Sequence, residues 1–268
     1  HMLQSTGAGI AVIDYDGDGW QDLYFAQSGP WEERHNPQYH NCLFRNLGDG
    51  TFEDVTDQAG LRDGSFSQGV AVGDFNSDGL PDLYLGNIGP NRVYANNGDG
   101  TFRDVTQQAN ASGDEWTVSC AIVDLNGDAL PEVYTVSYLI LEEVLKRMCK
   151  YNGRPMGCAP SMFTAEQDRL YHNLGDGRFR DVTVESGIQA PDGKGLGVVA
   201  ADFEGNGQIN LFVSNDTTAN LYYVNETPTA GAALQFTESG ILCGVAFDET
   251  GQAQSCMGIA SGDVNNDG

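Results

Sequence analysis

Clusters of carboxylates and asparagines recur along the chain at one fixed spacing. The first cluster, in IDYDGDGWQD (Ile13–Asp22), places side-chain oxygens at loop positions 1, 3, 5 and 9, with glycine at position 6. Like charges held this close repel one another, so a cation is needed to neutralise them. In a tight loop, residues 1, 3 and 5 point at one centre, and a chain reversal at the glycine returns position 9 to the same point.

Hard oxygen donors in a flexible loop favour Ca²⁺ over zinc or copper, and magnesium would demand a stricter octahedron. The carbonyl of position 7 adds a ligand to each loop. The sequence therefore predicts about three to four calcium ions. The well-formed sets are Asp14, Asp16, Asp18, Trp20 and Asp22; Asp74, Asn76, Asp78, Leu80 and Asp82; and Asp124, Asn126, Asp128, Leu130 and Glu132. Weaker sets are Asp202, Glu204, Asn206 and Asn210, and Asp263, Asn265 and Asp267.

The loops differ in charge, which predicts an order of affinity. The first set offers four carboxylates and is expected to bind tightest, the second and third offer three each, and the fourth offers two. Ala129 replaces the glycine of the third loop, where a left-handed backbone would cost about 1 kcal/mol.

Two other interpretations of the acidic loops were weighed. An EF-hand also begins with alternating acidic residues, but it needs a bidentate acid at position 12 and flanking helices. A polar turn without a metal ion would explain a single acidic loop. Three acidic loops in phase with a longer repeat favour metal sites instead. The EF-hand is excluded because position 12 is Phe25, Leu85, Thr135 and Val213.

The acidic loops belong to a longer repeat of about 50 residues with insertions. A second motif follows the loop as FRNLGDGTFEDVT, YANNGDGTFRDVT and YHNLGDGRFRDVT. Each unit predicts four short strands, because apolar segments flank the acidic loop and, in the second unit, an Asn-Gly-Asp-Gly sequence marks a hairpin. The leading aspartates, at spacings of 60, 50, 78 and 61, are Asp14, Asp74, Asp124, Asp202 and Asp263.

One such sheet cannot bury both of its faces, but similar sheets arranged around an axis bury them against one another. The sequence predicts an all-β fold, a β-propeller with four-stranded blades, and disfavours a parallel β-solenoid because solenoid repeats are usually shorter. We expect one propeller, incomplete in residues 1–268. Its repeats are predicted at approximately 8–67, 68–117, 118–195, 196–256 and, in part, 257–268.

An insertion at 137–168 departs from the repeat. Leu141, Val144, Leu145 and Met148 keep a helical spacing within it, which predicts a short helix. Inserted loops on a rigid scaffold commonly carry recognition. The insertion also holds the densest basic patch, which would bind an acidic glycan or protein, or else pair with the chain's own carboxylates. Its residues are Lys146, Arg147, Lys150 and Arg154.

The chain as a whole is strongly acidic, with 38 acidic against 13 basic residues and a formal charge of −25. Such a surface repels nucleic acid and anionic membranes. No stretch approaches the roughly 18–20 apolar residues of a membrane span. Cations are the partners that this composition favours.

Six cysteines are present. The spacings of Cys149 to Cys158 and of Cys243 to Cys256 suit local disulfides, which would indicate an oxidising compartment. Buried free thiols are the alternative for these pairs. Cys42 and Cys120 are assigned no partner.

The acidic loops resemble FG-GAP/VCBS repeats of integrin-type β-propellers. NLGDGTFEDVT, CKYNGRPMGCAPSMFTAEQDRLYHNLGDG and ESGILCGVAFDETGQAQSCMGIASGDVNNDG further resemble the propeller of the ASPIC/UnbV (cartilage acidic protein-like) family. The resemblance covers nearly the whole chain. It implies a secreted, periplasmic or cell-surface protein whose propeller is stabilised by calcium and presents a binding surface. Such propellers usually have about seven blades, so we expect a second copy or another chain to cover the open edges.

Two classes of function follow. The first is a binding or adhesion module for protein or carbohydrate. The second is an enzyme or biosynthetic accessory acting on a polysaccharide or a secondary metabolite, since propellers host enzymes too, and the resemblance implies enediyne biosynthesis as one such setting. No catalytic residue is assigned, because no nucleophile, zinc-protease or phosphate-loop motif occurs in the sequence. The first class is favoured.

Overall fold

The computed structural model describes residues 3, 6–34, 36 and 38–263. The predicted ligands Asn265 and Asp267 lie outside them. The described residues form four antiparallel sheets of four strands each and one two-stranded hairpin. Helix is confined to α1 (Thr106–Ala109), α2 (Leu141–Lys146) and short 3₁₀ turns. The predicted all-β class with four-stranded blades is therefore confirmed.

Each sheet is formed by one repeat, and the acidic loop joins its first strand to its second. The first sheet contains β1 (Ile10–Ile13), β2 (Asp22–Phe25), β3 (Cys42–Asn46) and β4 (Phe52–Asp54). The second contains β5 (Ser67–Gly73), β6 (Asp82–Asn87), β7 (Arg92–Asn96) and β8 (Phe102–Asp104). The third contains β9 (Thr117–Val123), β10 (Glu132–Ser137), β13 (Arg169–Asn173) and β14 (Phe179–Asp181), and the fourth β15 (Gly195–Ala201), β16 (Asn210–Asn215), β17 (Leu221–Asn225) and β18 (Phe236–Glu238).

The sheets pack face to face in chain order. The first and second sheets share a core that includes Tyr24 and Leu83, and the second and third share one that includes Tyr84 and Val133. A third core, around Tyr223, joins the third and fourth sheets. The first strands of successive sheets contact one another. This arrangement is that of consecutive propeller blades, because each sheet buries an apolar face only against its neighbour.

Two outer faces of this stack remain exposed. On β1, the side chains of Ile10 and Val12 are 60% and 56% exposed, whereas the equivalent Val70 packs against the core between the first two sheets. At the other end, Phe203 is 42% exposed, although the equivalent Phe75 is buried. Both faces are thus apolar surfaces of the kind that the internal sheets bury against a neighbour.

The last described residues run beside the fourth sheet. Ser255 forms a β-bridge with Asp216, as Trp116 does with Ile88 where the third repeat begins beside the second. The backbone N–H of Thr217 also donates to the carbonyl of Gln254. The residues just before the predicted fifth repeat are therefore held where the next blade would begin beside the fourth sheet.

The insertion forms α2 and the hairpin of β11 (Cys149–Tyr151) and β12 (Arg154–Met156). The helix ends at Lys146, so the predicted helical residue Met148 lies outside it. Val144 is buried, whereas Met148 is 46% exposed, and the chain after the helix is already extended toward β11. Within the described range, no helix is long and apolar enough to cross a membrane.

One of the two predicted disulfides is present. Cys149 and Cys158 are bonded, with their Cα atoms 5.0 Å apart. The prediction for Cys243 and Cys256 is wrong, since both are free thiols. Their backbones are held at different places: the N–H of Cys243 donates to the carbonyl of Ser239 in the turn after β18, and the N–H of Cys256 donates to that of Asn215 in β16. Cys42 and Cys120 are also free.

Candidate metal centre

The acidic loops share one hydrogen-bond pattern that turns their side-chain oxygens inward. The carboxylate at position 1 accepts a hydrogen bond from the N–H at position 6, at 3.1 Å from Asp14, 2.8 Å from Asp74 and 2.8 Å from Asp124. Position 3 accepts from the N–H of position 5, and position 5 accepts from that of position 7. The loop backbone itself therefore gathers positions 1, 3 and 5.

The carboxylate at position 9 closes each of the first three loops from inside the sheet. Asp22, Asp82 and Glu132 are fully buried. In each case one carboxylate oxygen accepts a hydrogen bond from the N–H of loop position 2. In the first two loops the other oxygen accepts from the N–H of Asn46 or Asn96, at the end of the third strand.

Burial perturbs the pKa values of these carboxylates. It raises the pKa of Asp22 above its ordinary value and the pKa of Asp82 to about 7, and it also raises the pKa of Glu132. Desolvation is the dominant cause and outweighs the hydrogen bonds from backbone N–H groups. In the part of the chain described, no ion pair reaches Asp22 or Asp82. A nearby cation would offset this cost.

The first loop fits a metal ion best in geometry. Asp14, Asp16 and Asp18 each offer one carboxylate oxygen, and these oxygens lie within 4.8 Å of one another. Asp14 Oδ1 is buried and accepts no hydrogen bond from any described residue. A buried oxygen of this kind costs free energy unless a partner is supplied, and a hard divalent cation is a suitable partner.

The second and third loops have the same fold with an asparagine at position 3. In the third loop, Asn126 Nδ2 donates to Asp128 Oδ2 at 3.1 Å, so this carboxylate oxygen is already hydrogen-bonded and is less available to a cation. Ala129 has a φ of +69°, in the left-handed region where Gly79 has +86° in the second loop. The loop thus imposes its backbone conformation on an alanine, as the sequence predicts, at a cost in strain.

The fourth loop directs its polar groups at one another. Asn206 Nδ2 donates to Glu204 Oε2 at 3.0 Å. At position 9, Asn210 Nδ2 donates to the hydroxyl of Tyr222. These contacts leave fewer oxygens for a cation than in the first three loops. Of the fifth predicted site, only Asp263 lies among the described residues.

The penultimate residue of the third strand contacts the acidic loop of its own sheet in two repeats. This contact was not predicted from the sequence. Arg45 Nη2 donates to Asp18 Oδ2 at 2.9 Å, and Arg45 Nε lies 2.8 Å from Asp16 Oδ2 as an ion pair without hydrogen-bond geometry. His172 Nδ1 lies 2.9 Å from Glu132 Oε1. This position differs in every repeat, so the repeat pattern carries no signal for it.

Position 7 has a second role besides the predicted carbonyl ligand. A Cβ added to Gly48 would lie 2.8 Å from the side chain of Trp20, and one at Gly98 would lie 3.0 Å from Leu80. The side chain of position 7 therefore covers the glycine turn between the third and fourth strands. Leu130 contacts Gly175 in the same way.

The basic patch of the insertion is divided between two environments. Lys146 is paired with Glu142 on α2, and Arg147 donates to the carbonyl of Met162 at 2.8 Å. Lys150 and Arg154 lie on the exposed strands of the β11–β12 hairpin. Tyr151 beside them is 68% exposed. All four predicted basic residues are exposed, but Lys146 and Arg147 bind other residues of the insertion, whereas Lys150 and Arg154 lie on adjacent strands of the hairpin.

Comparisons with known proteins agree with the repeat architecture. A family model for the FG-GAP-like repeat matches residues 14–85 and 74–135. Cartilage acidic protein 1 of Xenopus tropicalis is 37% identical over 91 residues, which are 33% of this chain and 12% of that protein. The human protein is 50% identical over 56 residues, 20% of this chain and 8% of the relative. The matched segments thus span about a tenth of the relatives' length.

Two solved structures match the chain with TM-scores under 0.5. A lectin of Agrocybe aegerita, solved for its recognition of non-reducing terminal N-acetylglucosamine, is 18% identical with a TM-score of 0.41 over 84% of this chain and 50% of that chain. The Tc holotoxin pore of Photorhabdus luminescens is 20% identical with a TM-score of 0.33, over 87% of this chain and 9% of that chain. The family model thus shows FG-GAP-like repeats over residues 14–135, and a part of the chain is similar to cartilage acidic protein 1.

Proposed function

We propose that the chain is a calcium-binding β-propeller module of the extracellular space or cell envelope, which binds a protein or carbohydrate ligand. The observation that carries the calcium assignment is the first loop, where three carboxylates converge and the buried Asp14 Oδ1 accepts no hydrogen bond from the residues that the structure describes. Asp14, Asp16, Asp18 and Asp22 would hold the ion there. The second and third sets would hold ions through the same loop geometry. When bound, calcium supplies positive charge to buried carboxylates and so stabilises the fold.

The β11–β12 hairpin is the proposed ligand-binding surface. It carries exposed apolar side chains, Tyr151 at 68% and Met156 at 49%, beside the basic residues Lys150 and Arg154. Aromatic, methionine and arginine side chains are enriched at protein interfaces. The disulfide between Cys149 and Cys158 limits the freedom of the hairpin and so lowers the entropy lost on binding. A positively charged surface on an otherwise acidic chain favours an acidic ligand.

The proposed location follows from the disulfide, because such bonds persist in oxidising compartments. We also propose that a second copy or another chain covers the exposed apolar faces around Val12 and Phe203. Faces of this kind are buried between the internal sheets, and leaving them in water is unfavourable. Light scattering of the purified chain tests for the second copy, and a monodisperse monomer at all concentrations would exclude it and leave another chain as the proposed cover.

Calcium titration calorimetry followed by thermal melting tests the central proposal. The chain, freed of metal by chelation, is expected to take up about three to four ions. Because a ligand that binds only the folded state stabilises it by about 2.7 kcal/mol at a hundred times its Kd, the melting temperature should rise by several degrees in calcium. Magnesium at the same concentration is the control. No heat of binding and no change in melting temperature would contradict the proposal.

A further inference from the structure

The first acidic loop is the one whose carboxylates already contact a permanent positive charge. The position before the last residue of the third strand holds Arg45, Ala95, His172 and Val224 in the four repeats. Among the described residues, Arg45 is the only arginine paired with an acidic loop. Its guanidinium spans Asp16 and Asp18, two of the three carboxylates that converge there.

Arg45 contacts the carboxylate oxygens of Asp16 and Asp18 that do not accept a hydrogen bond from the loop backbone. One oxygen of each aspartate is already bound to the loop backbone: Asp16 Oδ1 accepts from Asp18 N, and Asp18 Oδ1 accepts from Trp20 N. Arg45 binds the other oxygen of both residues, Asp16 Oδ2 and Asp18 Oδ2. Asp14 Oδ1 accepts no hydrogen bond from the described residues. The guanidinium and a divalent cation would therefore compete for the same two carboxylates and repel each other.

We propose that Arg45 is an internal counter-cation that competes with calcium for the first loop. The inference rests on the proposed calcium function and alters the order of affinity expected from charge alone. Four carboxylates predict the tightest site, whereas Arg45 cancels the advantage of the fourth. The first loop then binds calcium no more tightly than the second, where the equivalent Ala95 is uncharged. The arginine also keeps the loop folded at low calcium concentration by pairing with its carboxylates.

The test compares two arginine-to-alanine variants by calcium titration calorimetry. Arg45→Ala removes the competing charge, and Arg92→Ala removes the same charge from β7, where Arg92 pairs with Asp104 and not with a loop. The binding step of the first loop is identified as the one lost in Asp14→Asn. We expect Arg45→Ala to tighten that step about tenfold, equivalent to about 1.4 kcal/mol, while Arg92→Ala leaves it within twofold.

A second variant separates charge from folding. Arg45→Gln keeps most of the side-chain length and should reproduce the gain in affinity. Arg45 is 39% exposed, so neither substitution opens a core cavity, and circular dichroism verifies the fold of each. A first-loop affinity unchanged in both folded variants would overturn the role of Arg45 while leaving the calcium sites intact. A wild-type chain that binds no calcium would instead overturn the proposed function and this inference with it.

Discussion

The side-chain amide of Asn96 donates a hydrogen bond to the backbone carbonyl of Tyr15, 2.8 Å away in the preceding sheet. Asn173 makes the same bond to Phe75 and Asn225 makes it to Leu125, at 2.8 and 2.7 Å. The acceptor is always position 2 of the preceding acidic loop. Each sheet is thus tied to the loop of the sheet before it, so the loops contribute to the packing between blades.

Replacing Asn96 should remove this hydrogen bond between the first and second sheets. Asn96→Ala leaves the carbonyl of Tyr15 buried without its donor, so we expect the free energy of unfolding to fall by about 1–3 kcal/mol. Asn46→Ala is the matched control, because Asn46 makes the same turn contact with Gly48 but, among the described residues, its amide donates only to Gln21. Urea denaturation measures both, and equal losses would contradict a link between sheets.

The strained backbone of the third loop offers a gain in stability. Ala129 adopts a φ of +69°, which glycine tolerates without a steric penalty. Ala129→Gly should therefore raise stability by up to about 1 kcal/mol, in spite of the greater freedom of glycine in the unfolded chain. Gly79→Ala, at the equivalent position with φ of +86°, should lower it by a similar amount. Thermal melts of both variants without metal provide the measurement, and shifts of the same sign would rule out the strain argument.

The unequal loops should respond unequally to substitution. Asp16→Ala removes a carboxylate from the converging trio of the first loop, so it should weaken calcium binding there at least tenfold, as expected for loss of a charged ligand. Asn206→Ala alters a loop whose amide already donates to Glu204, and it should change total calcium uptake little. Titration calorimetry of both variants provides the comparison. Similar effects would show that the fourth loop is a site of comparable strength.

The repeat pattern predicts the parts of this protein that every blade must share. Asp14, Asp74 and Asp124 recur because each opens a loop of the same backbone geometry, and the Gly-Asp-Gly turns of the first three repeats recur because each hairpin needs left-handed residues. Contacts made by a residue that differs between repeats have no such signal. Arg45 reaches the first loop only because β3 lies next to it in the folded sheet. The spacing of Cys243 and Cys256 likewise says nothing of the different places at which their backbones are held.

Asp168 is a buried acid at a position where the other repeats use asparagine. It corresponds to Asn41, Asn91 and Asn220, and each of these side-chain oxygens accepts a backbone N–H. Asp168 accepts hydrogen bonds from the hydroxyl of Tyr134 at 2.7 Å and from the N–H of Ser137 at 2.8 Å. Burial nevertheless raises the pKa of Asp168 to about 7. The folded chain therefore favours the neutral acid.

This shift predicts how stability depends on pH. Because the folded pKa lies above the unfolded one, the folded state binds the extra proton between about pH 4 and pH 7, and stability falls as pH rises through that window. Asp168→Asn removes the titration, and its amide can donate to Tyr134 as Asn91 donates to Tyr84. We expect the variant to be more stable than wild type at pH 8 by about 1–4 kcal/mol, since one pKa unit corresponds to about 1.4 kcal/mol.

The comparison is made by urea denaturation at pH 4 and pH 8 with calcium absent. At pH 4 both proteins carry a neutral side chain at this position, so their stabilities should nearly coincide, which provides an internal control. Asn91→Asp is the reciprocal variant and should introduce the same loss of stability with rising pH into the second sheet. An Asp168→Asn variant that is less stable than wild type at pH 8 would contradict the prediction. It would show that the two hydrogen-bond donors stabilise the ionised carboxylate by more than its burial costs.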